Sequence, residues 1–121
     1  MSTFDTTGTT VRMRGAVALI DLAGDIDSTA EHSLQDAWRR ATQDPPAAVV
    51  LNFEHAGYIN STGIALIVGL LAQARAAKIP LSAFGLSPHY EEIFQITRLA
   101  DFMAIRPDED SAVDGAEGSS T

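Results

Sequence analysis

Cysteine is absent from the sequence, which excludes a disulfide framework, a thiolate metal site and a thiol nucleophile. Basic residues are few, eight Lys and Arg against sixteen Asp and Glu, so the chain has no basic footprint for a nucleic acid. No apolar run approaches the roughly 20 residues needed to cross a bilayer. The opening MSTFDTTGTT lacks the basic and apolar regions of a secretory signal. These absences predict a cytoplasmic protein with no membrane insertion and no nucleic-acid partner. GxSxG, Walker and HExxH patterns are also missing, and His32, His55 and His89 stand apart. No metal or other cofactor is expected, and no catalytic residue: Asp25 and Asp27 lack the positioned partner that would make them an acid–base pair.

What remains is 121 residues, the size of one domain. The formal charge of −8 is unevenly spread. Beyond Arg106 stand Asp108, Glu109, Asp110, Asp114 and Glu117 with no base, leaving eleven acids against eight bases up to and including Arg106. The expected division is therefore a flexible N-terminus at 1–8, a domain at 9–106, and an acidic, disordered tail at 107–121.

Along the body, Thr9 to Arg14 and Ala16 to Leu22 read as two strands hinged at Gly15. GDID (Gly24 to Asp27) follows as a loop. Ser28 and Glu31 have capping-box spacing ahead of a helix with Ala30, Leu34, Trp38 and Ala41 on one stripe, stopped by Pro45 and Pro46. The unalternating run Ala47 to Phe53 predicts a strand covered on both faces, followed by a loop, EHAGY. A second helix runs from about Ser61 to Lys78 before Pro80. Leu81 to Leu86 is the next strand, Ser87 and Pro88 open a third helix, and Met103 to Arg106 closes the sheet. The order β-β-α-β-α-β-α-β predicts an α/β domain with a mixed, mainly parallel sheet and an N-terminal hairpin. Sites in such sheets lie at the strand-to-helix loops, here GDID and EHAGYINST.

The stretch YINSTG, Tyr58 to Gly63, concentrates the interest. Asn60, Ser61 and Thr62 suit a helix start, where side-chain oxygens accept from unpaired backbone N–H groups. The same place tolerates a phosphate, because the helix dipole and free N–H groups favour negative charge there. Behind it Ile64, Leu66, Ile67, Val68, Leu70 and Leu71 spread over more than the stripe one sheet can cover, so some are expected to be exposed. A modifiable hydroxyl beside an apolar patch is the physical form of a switchable interface. The alternative from residues alone is a plain helix cap, with Gly63 and Gly69 serving close packing.

VVLNFEHAGYINSTGIALIVGLL, GDID and FGLSPHYEEIFQITRLADFMAI, in that order and spacing, resemble the STAS domain, and within it the stand-alone anti-sigma factor antagonists of bacteria. The resemblance spans roughly Thr9 to Arg106. It implies that Ser61 is the phosphorylated serine, with Thr62 the weaker candidate. It also implies that Asp25, Asp27, Asn60, Ser61, Thr62, Gly63 and Ile64 border a partner surface. The implied partners are an anti-sigma factor of the GHKL serine kinase type, bound by the unphosphorylated form so that a sigma factor is released, and a serine phosphatase that restores this form. Asn60 stands where the family usually has Asp, a departure that bears on kinase recognition. A STAS scaffold, or a subunit of a lipid-transport or stress-sensing complex without phosphorylation, is the alternative.

Overall fold

Thr10–Arg14 (β1) and Val17–Ile26 (β2) form the antiparallel hairpin expected around Gly15, with Thr10 opposite Asp21 and Arg14 opposite Val17. The computed structural model describes residues 9–119; the segment 1–8, expected to be flexible, lies outside the described residues. From β2 the chain alternates through α1 (Glu31–Ala41), β3 (Ala48–Ile59), α2 (Ser61–Ala77), β4 (Leu81–Phe84), α3 (Pro88–Ile96), β5 (Ala104–Arg106) and α4 (Glu109–Ser119). The five strands lie in chain order, and every pairing after the hairpin is parallel. This is the mixed, mainly parallel sheet that the sequence predicts.

Successive strand residues point to opposite faces, and the buried side chains divide accordingly. Ala18, Ile20 and Leu22 of β2, Val49, Leu51 and Phe53 of β3, and Ala83 of β4 join Leu34 and Trp38 of α1, Ile67 and Leu70 of α2, and Phe94 of α3 in one core. Phe53 and Phe94 meet edge to face, with centroids 5.9 Å apart, tying α3 to the middle of the sheet. Val17, Leu19, Ala48, Val50 and Phe84 form a second, smaller core on the reverse face with Ala112 and Val113 of α4.

That reverse core corrects the expectation of a disordered tail. Residues 109–119 are helical, and Ala112 and Val113 are almost fully buried. The helix is also held by charge. Arg12 donates to Glu109 at 2.6 and 2.9 Å, and Arg14 donates to Glu109 at 2.8 Å and to Asp110 at 3.0 Å. Arg12 in turn donates to Asp21 at 2.6 Å, and the half-buried Asp21 carboxylate accepts from the Asn52 amide at 2.8 Å. The local excess of acid suggested solvation, but the balancing bases lie in β1, far away in sequence and adjacent in space. The hydrogen bond from Arg12 holds the Glu109 carboxyl down to about 2, against partial burial that would raise it. Burial would raise Asp21 too, yet the bonds from Arg12 and Asn52 outweigh it and keep that carboxyl below its ordinary value.

Three element boundaries also differ from expectation. The strands β2 and β3 run on through GDI and EHAGYI, which were expected as loops, because their backbones continue to pair: Ala23 with His55, Gly24 with Ala56 and Ile26 with Ile59. Register shifts after Asp21 and Gly24 accommodate the polar sequence. Asp27 rather than Ser28 supplies the cap, and it caps a 3-10 turn ahead of α1, whose own N-cap, Ala30, makes no side-chain hydrogen bond. Asp27 Oδ1 accepts from the Thr29 backbone N–H at 3.0 Å and from its hydroxyl at 2.5 Å, and the chain makes a 3-10 turn over Ser28–Ala30 before α1. The end of α2 is as expected ahead of Pro80: the helix runs to Ala77, with Lys78 as a left-handed cap at φ 60. The Ser87 cap and Pro88 at the start of α3 are as expected.

Candidate functional site

The parallel ends of β2 and β3 deliver the chain to α2 at one place. Ile26 is the last residue of β2 and lies opposite Ile59, the last of β3; the Asn60 backbone N–H donates to the Ile26 carbonyl at 3.3 Å. Asn60 is then extended, and its side-chain oxygen accepts from the Gly63 N–H at 2.8 Å, which makes it the N-cap of α2. Ser61 and Thr62, both exposed, are the first two helical residues. Gly63 is buried, because α2 starts directly against the end of β2. A Cβ on Gly63 would overlap the Ile26 carbonyl oxygen, fall within 2.8 Å of its carbon and 3.0 Å of Ile59 Cγ2. Glycine is a steric requirement at that point.

The two aspartates flank Ile26, so the structure brings all seven candidate residues, Asp25, Asp27, Asn60, Ser61, Thr62, Gly63 and Ile64, to one corner of the sheet. Asp25 is exposed, and its Oδ1 accepts from the Tyr58 backbone N–H at 2.9 Å. Gly57 leaves room for that carboxylate: Asp25 Cγ lies 3.5 Å from where a Gly57 Cβ would stand. The hydroxyl and backbone N–H of Thr29 hold the Asp27 carboxyl below its ordinary value. Ile64 is half-buried behind Gly63. The corner therefore presents a hydroxyl at a helix N-terminus beside two carboxylates, with no basic side chain among the seven.

Two further aromatic side chains border the corner. Tyr90, in the first turn of α3, accepts through its hydroxyl from the Ile59 N–H at 2.9 Å, bracing the last residue of β3. Its place there was legible, its polar contact was not. Tyr58 is 68 % exposed, a large aromatic surface beside Asp25. The apolar excess of α2 is smaller than expected near Ser61. Ile67, Leu70 and Leu71 are buried, Ile64 and Leu66 half-buried, and Val68 alone of the six is substantially exposed. The histidines lie in separate elements, and among the described residues no group of three or more metal-ligating side chains assembles.

The family model for the STAS domain matches residues 9–112. The chain belongs to the STAS domain family. Residues 107–112 fall inside that match, consistent with the docking of α4 on the sheet. Among curated relatives, the anti-sigma-B factor antagonist of Staphylococcus aureus (strain NCTC 8325 / PS 47) is 28 % identical over 86 residues, covering 71 % of this chain and 80 % of the relative. The structure of the anti-sigma factor antagonist SpoIIAA in its unphosphorylated form superposes with a TM-score of 0.70 at 22 % identity, covering 92 % of this chain and 99 % of that one. The phosphorylated form of SpoIIAA gives 0.68 at 23 %, covering 88 % and 97 %. An anti-sigma factor antagonist from Mycobacterium paratuberculosis gives 0.77 at 19 % identity, covering 97 % and 99 %. At these identities the superpositions establish that the STAS fold is shared. No described helix is long and apolar enough to cross a membrane.

Proposed function

We propose that this STAS protein is a non-enzymatic anti-sigma factor antagonist acting in the cytoplasm and switched at Ser61. The observation that carries the reading is the exposed Ser61 hydroxyl at the first turn of α2, beside Asp25 and Asp27, in a chain whose curated relatives include anti-sigma-B factor antagonists. Unphosphorylated, the corner formed by Asp25, Asp27, Asn60, Ser61, Thr62, Gly63 and Ile64 docks on an anti-sigma factor of the GHKL kinase type, and the sigma factor is released. The kinase moves the γ-phosphoryl group of ATP to Ser61 Oγ, with loss of the hydroxyl proton and departure of ADP. The phosphate adds a charge of about −1.5 to −2. The α2 N-terminus tolerates that charge, whereas Asp25 and Asp27 make the corner as a whole strongly negative and oppose docking. A serine phosphatase reverses the state.

Incubation with the cognate kinase and ATP, followed by peptide mass mapping, tests this. The expected result is one phosphate on Ser61, abolished in Ser61→Ala, with loss of the kinase complex on phosphorylation. A phosphate mapped to Thr62 or elsewhere, or a stable complex with no modification, refutes the switch. Asn60 favours one alternative, a STAS scaffold or a subunit of a lipid-transport or stress-sensing complex. Its neutral amide already satisfies Gly63 without the carboxylate usual in the family. If the missing carboxylate limits kinase recognition, Asn60→Asp accelerates phosphorylation; recovery of such a complex without a kinase from native lysate supports the scaffold instead.

A further inference from the structure

The outer side of α2 does not end at the Ser61 corner. Ser61, Ala65, Val68, Ala72 and Arg75, at steps of four and three, are all exposed and share one face. The stripe runs roughly 21 Å at the helical rise and leads into a groove of about 290 Å³ between α2 and the turn after α3. Val68, Leu71, Ala72, Leu99 and Phe102 supply its apolar wall. Val68 is 44 % and Phe102 54 % exposed, and both line this groove. Arg75 lies over the Phe102 ring, 4.7 Å from its centroid. Arg98, held at φ 70, opens the turn that carries Phe102 and is the second cation on the rim; Asp101 accepts from it at 2.8 Å. The lining contains two arginines and no acid, in a chain of net charge −8.

We propose that this groove docks an acidic amphipathic helix of a partner protein, its apolar ridge seated between Val68 and Phe102 and its carboxylates on Arg75 and Arg98. The charge of the rim selects this occupant. A basic helix would meet both arginines, and an uncharged one would leave Arg75 with no carboxylate partner among the described residues, Arg98 being paired with Asp101. The stacked Arg75 guanidinium is already positioned, so less side-chain freedom is lost when a carboxylate arrives. The groove lies at the far end of α2 from the serine, so the interaction is independent of phosphorylation.

The probe is a synthetic peptide of roughly 18 residues, long enough to be helical in isolation, with leucines on one face and glutamates beside them; its control carries lysines for the glutamates. Titration is followed by amide chemical shifts of the full chain. Shifts confined to Val68, Ala72, Arg98, Leu99 and Phe102 with the glutamate peptide alone are expected, weakened roughly tenfold in Arg75→Glu and in Phe102→Ala, and unchanged in Ser61→Glu. Equal binding of the lysine peptide, shifts at the Ser61 corner, or no shift at millimolar peptide overturns the proposal. Self-association abolished by Val68→Asp, without peptide binding, overturns it in favour of a second copy as occupant. The Ser61→Glu arm separates this result from the fate of the phosphorylation switch.

Discussion

Replacing Gly63 by alanine should destabilise the protein, whereas the same exchange at Gly69, two turns along the same helix, should stabilise it. Helix propensity alone favours alanine at both positions by up to about 1 kcal/mol. At Gly69 nothing lies within 4 Å of the added Cβ, so that gain is realised. At Gly63 the Cβ overlaps the Ile26 carbonyl oxygen and meets its carbon at 2.8 Å, and both are backbone atoms that no rotamer change can move. Relief requires α2 to tilt or the end of β2 to retreat, straining the bond from the Asn60 N–H to the Ile26 carbonyl and the cap from Asn60 to Gly63. Overpacking of this kind costs about 1–3 kcal/mol, which offsets the propensity gain at Gly63; because that gain is common to both positions, the two variants are separated by the overpacking cost, about 1–3 kcal/mol. Urea denaturation measures this directly. With a slope of about 1–3 kcal/mol/M, a 2 kcal/mol loss moves the midpoint down by roughly 1 M. A Gly63→Ala midpoint at or above the wild type would show that α2 does not begin against Ile26, and the steric account of the corner would fail with it.

Tyr90→Phe should cost about 1–3 kcal/mol, because it removes the acceptor of a backbone N–H on the buried Ile59; faster hydrogen exchange at the Ile59 amide is the specific signature, and unchanged exchange would exclude the brace. Glu109 gives a pH-dependent prediction. Its carboxyl is lowered from 4.5 to about 2, so the native state gains stability above pH 4.5 and loses that gain as pH falls toward 2. The stability difference between the wild type and Glu109→Gln should therefore be present near neutral pH and shrink through that window. A difference that stays constant would mean that the arginines do not hold the helix through this charge.

Much of the architecture was legible because it rests on short-range pattern. The apolar run through Val49, Val50 and Leu51 announces a strand buried on both faces, and Ser87-Pro88 announces a helix start whatever surrounds it. The corner was also largely legible, since Asn60, Ser61 and Gly63 are consecutive or nearly so and a cap is a local structure. What escaped depends on partners distant in sequence. Glu54 to Gly57 do not favour a strand by composition; their backbone is extended because β2 lies beside it. Ser28 had the spacing of a cap, but Asp27 was better placed by the emergence of the chain from β2. The helix beyond Arg106 was hidden for the same reason. Ala112 and Val113 look unremarkable in an acidic stretch until Val17, Val50 and Phe84 lie beneath them. Tyr90 advertised its ring through helical spacing, while the target of its hydroxyl required the tertiary fold.

The clasp between Arg12 and Glu109, 97 residues apart, has a consequence for the order of events during synthesis. The strands β1, β2 and β3 can pair as soon as they emerge, since their contacts are comparatively local, but α4 cannot seat until the whole intervening sheet is built. Long-range closures of this kind are the slow part of folding. Until α4 leaves the ribosome, the reverse face carrying Val17, Leu19, Val50 and Phe84 has no cover among the described residues, and a nascent sheet with an open apolar face is prone to aggregate. Docking of α4 thus closes the reverse face, and yield of soluble protein should depend on it more steeply than the small size of Ala112 and Val113 would suggest.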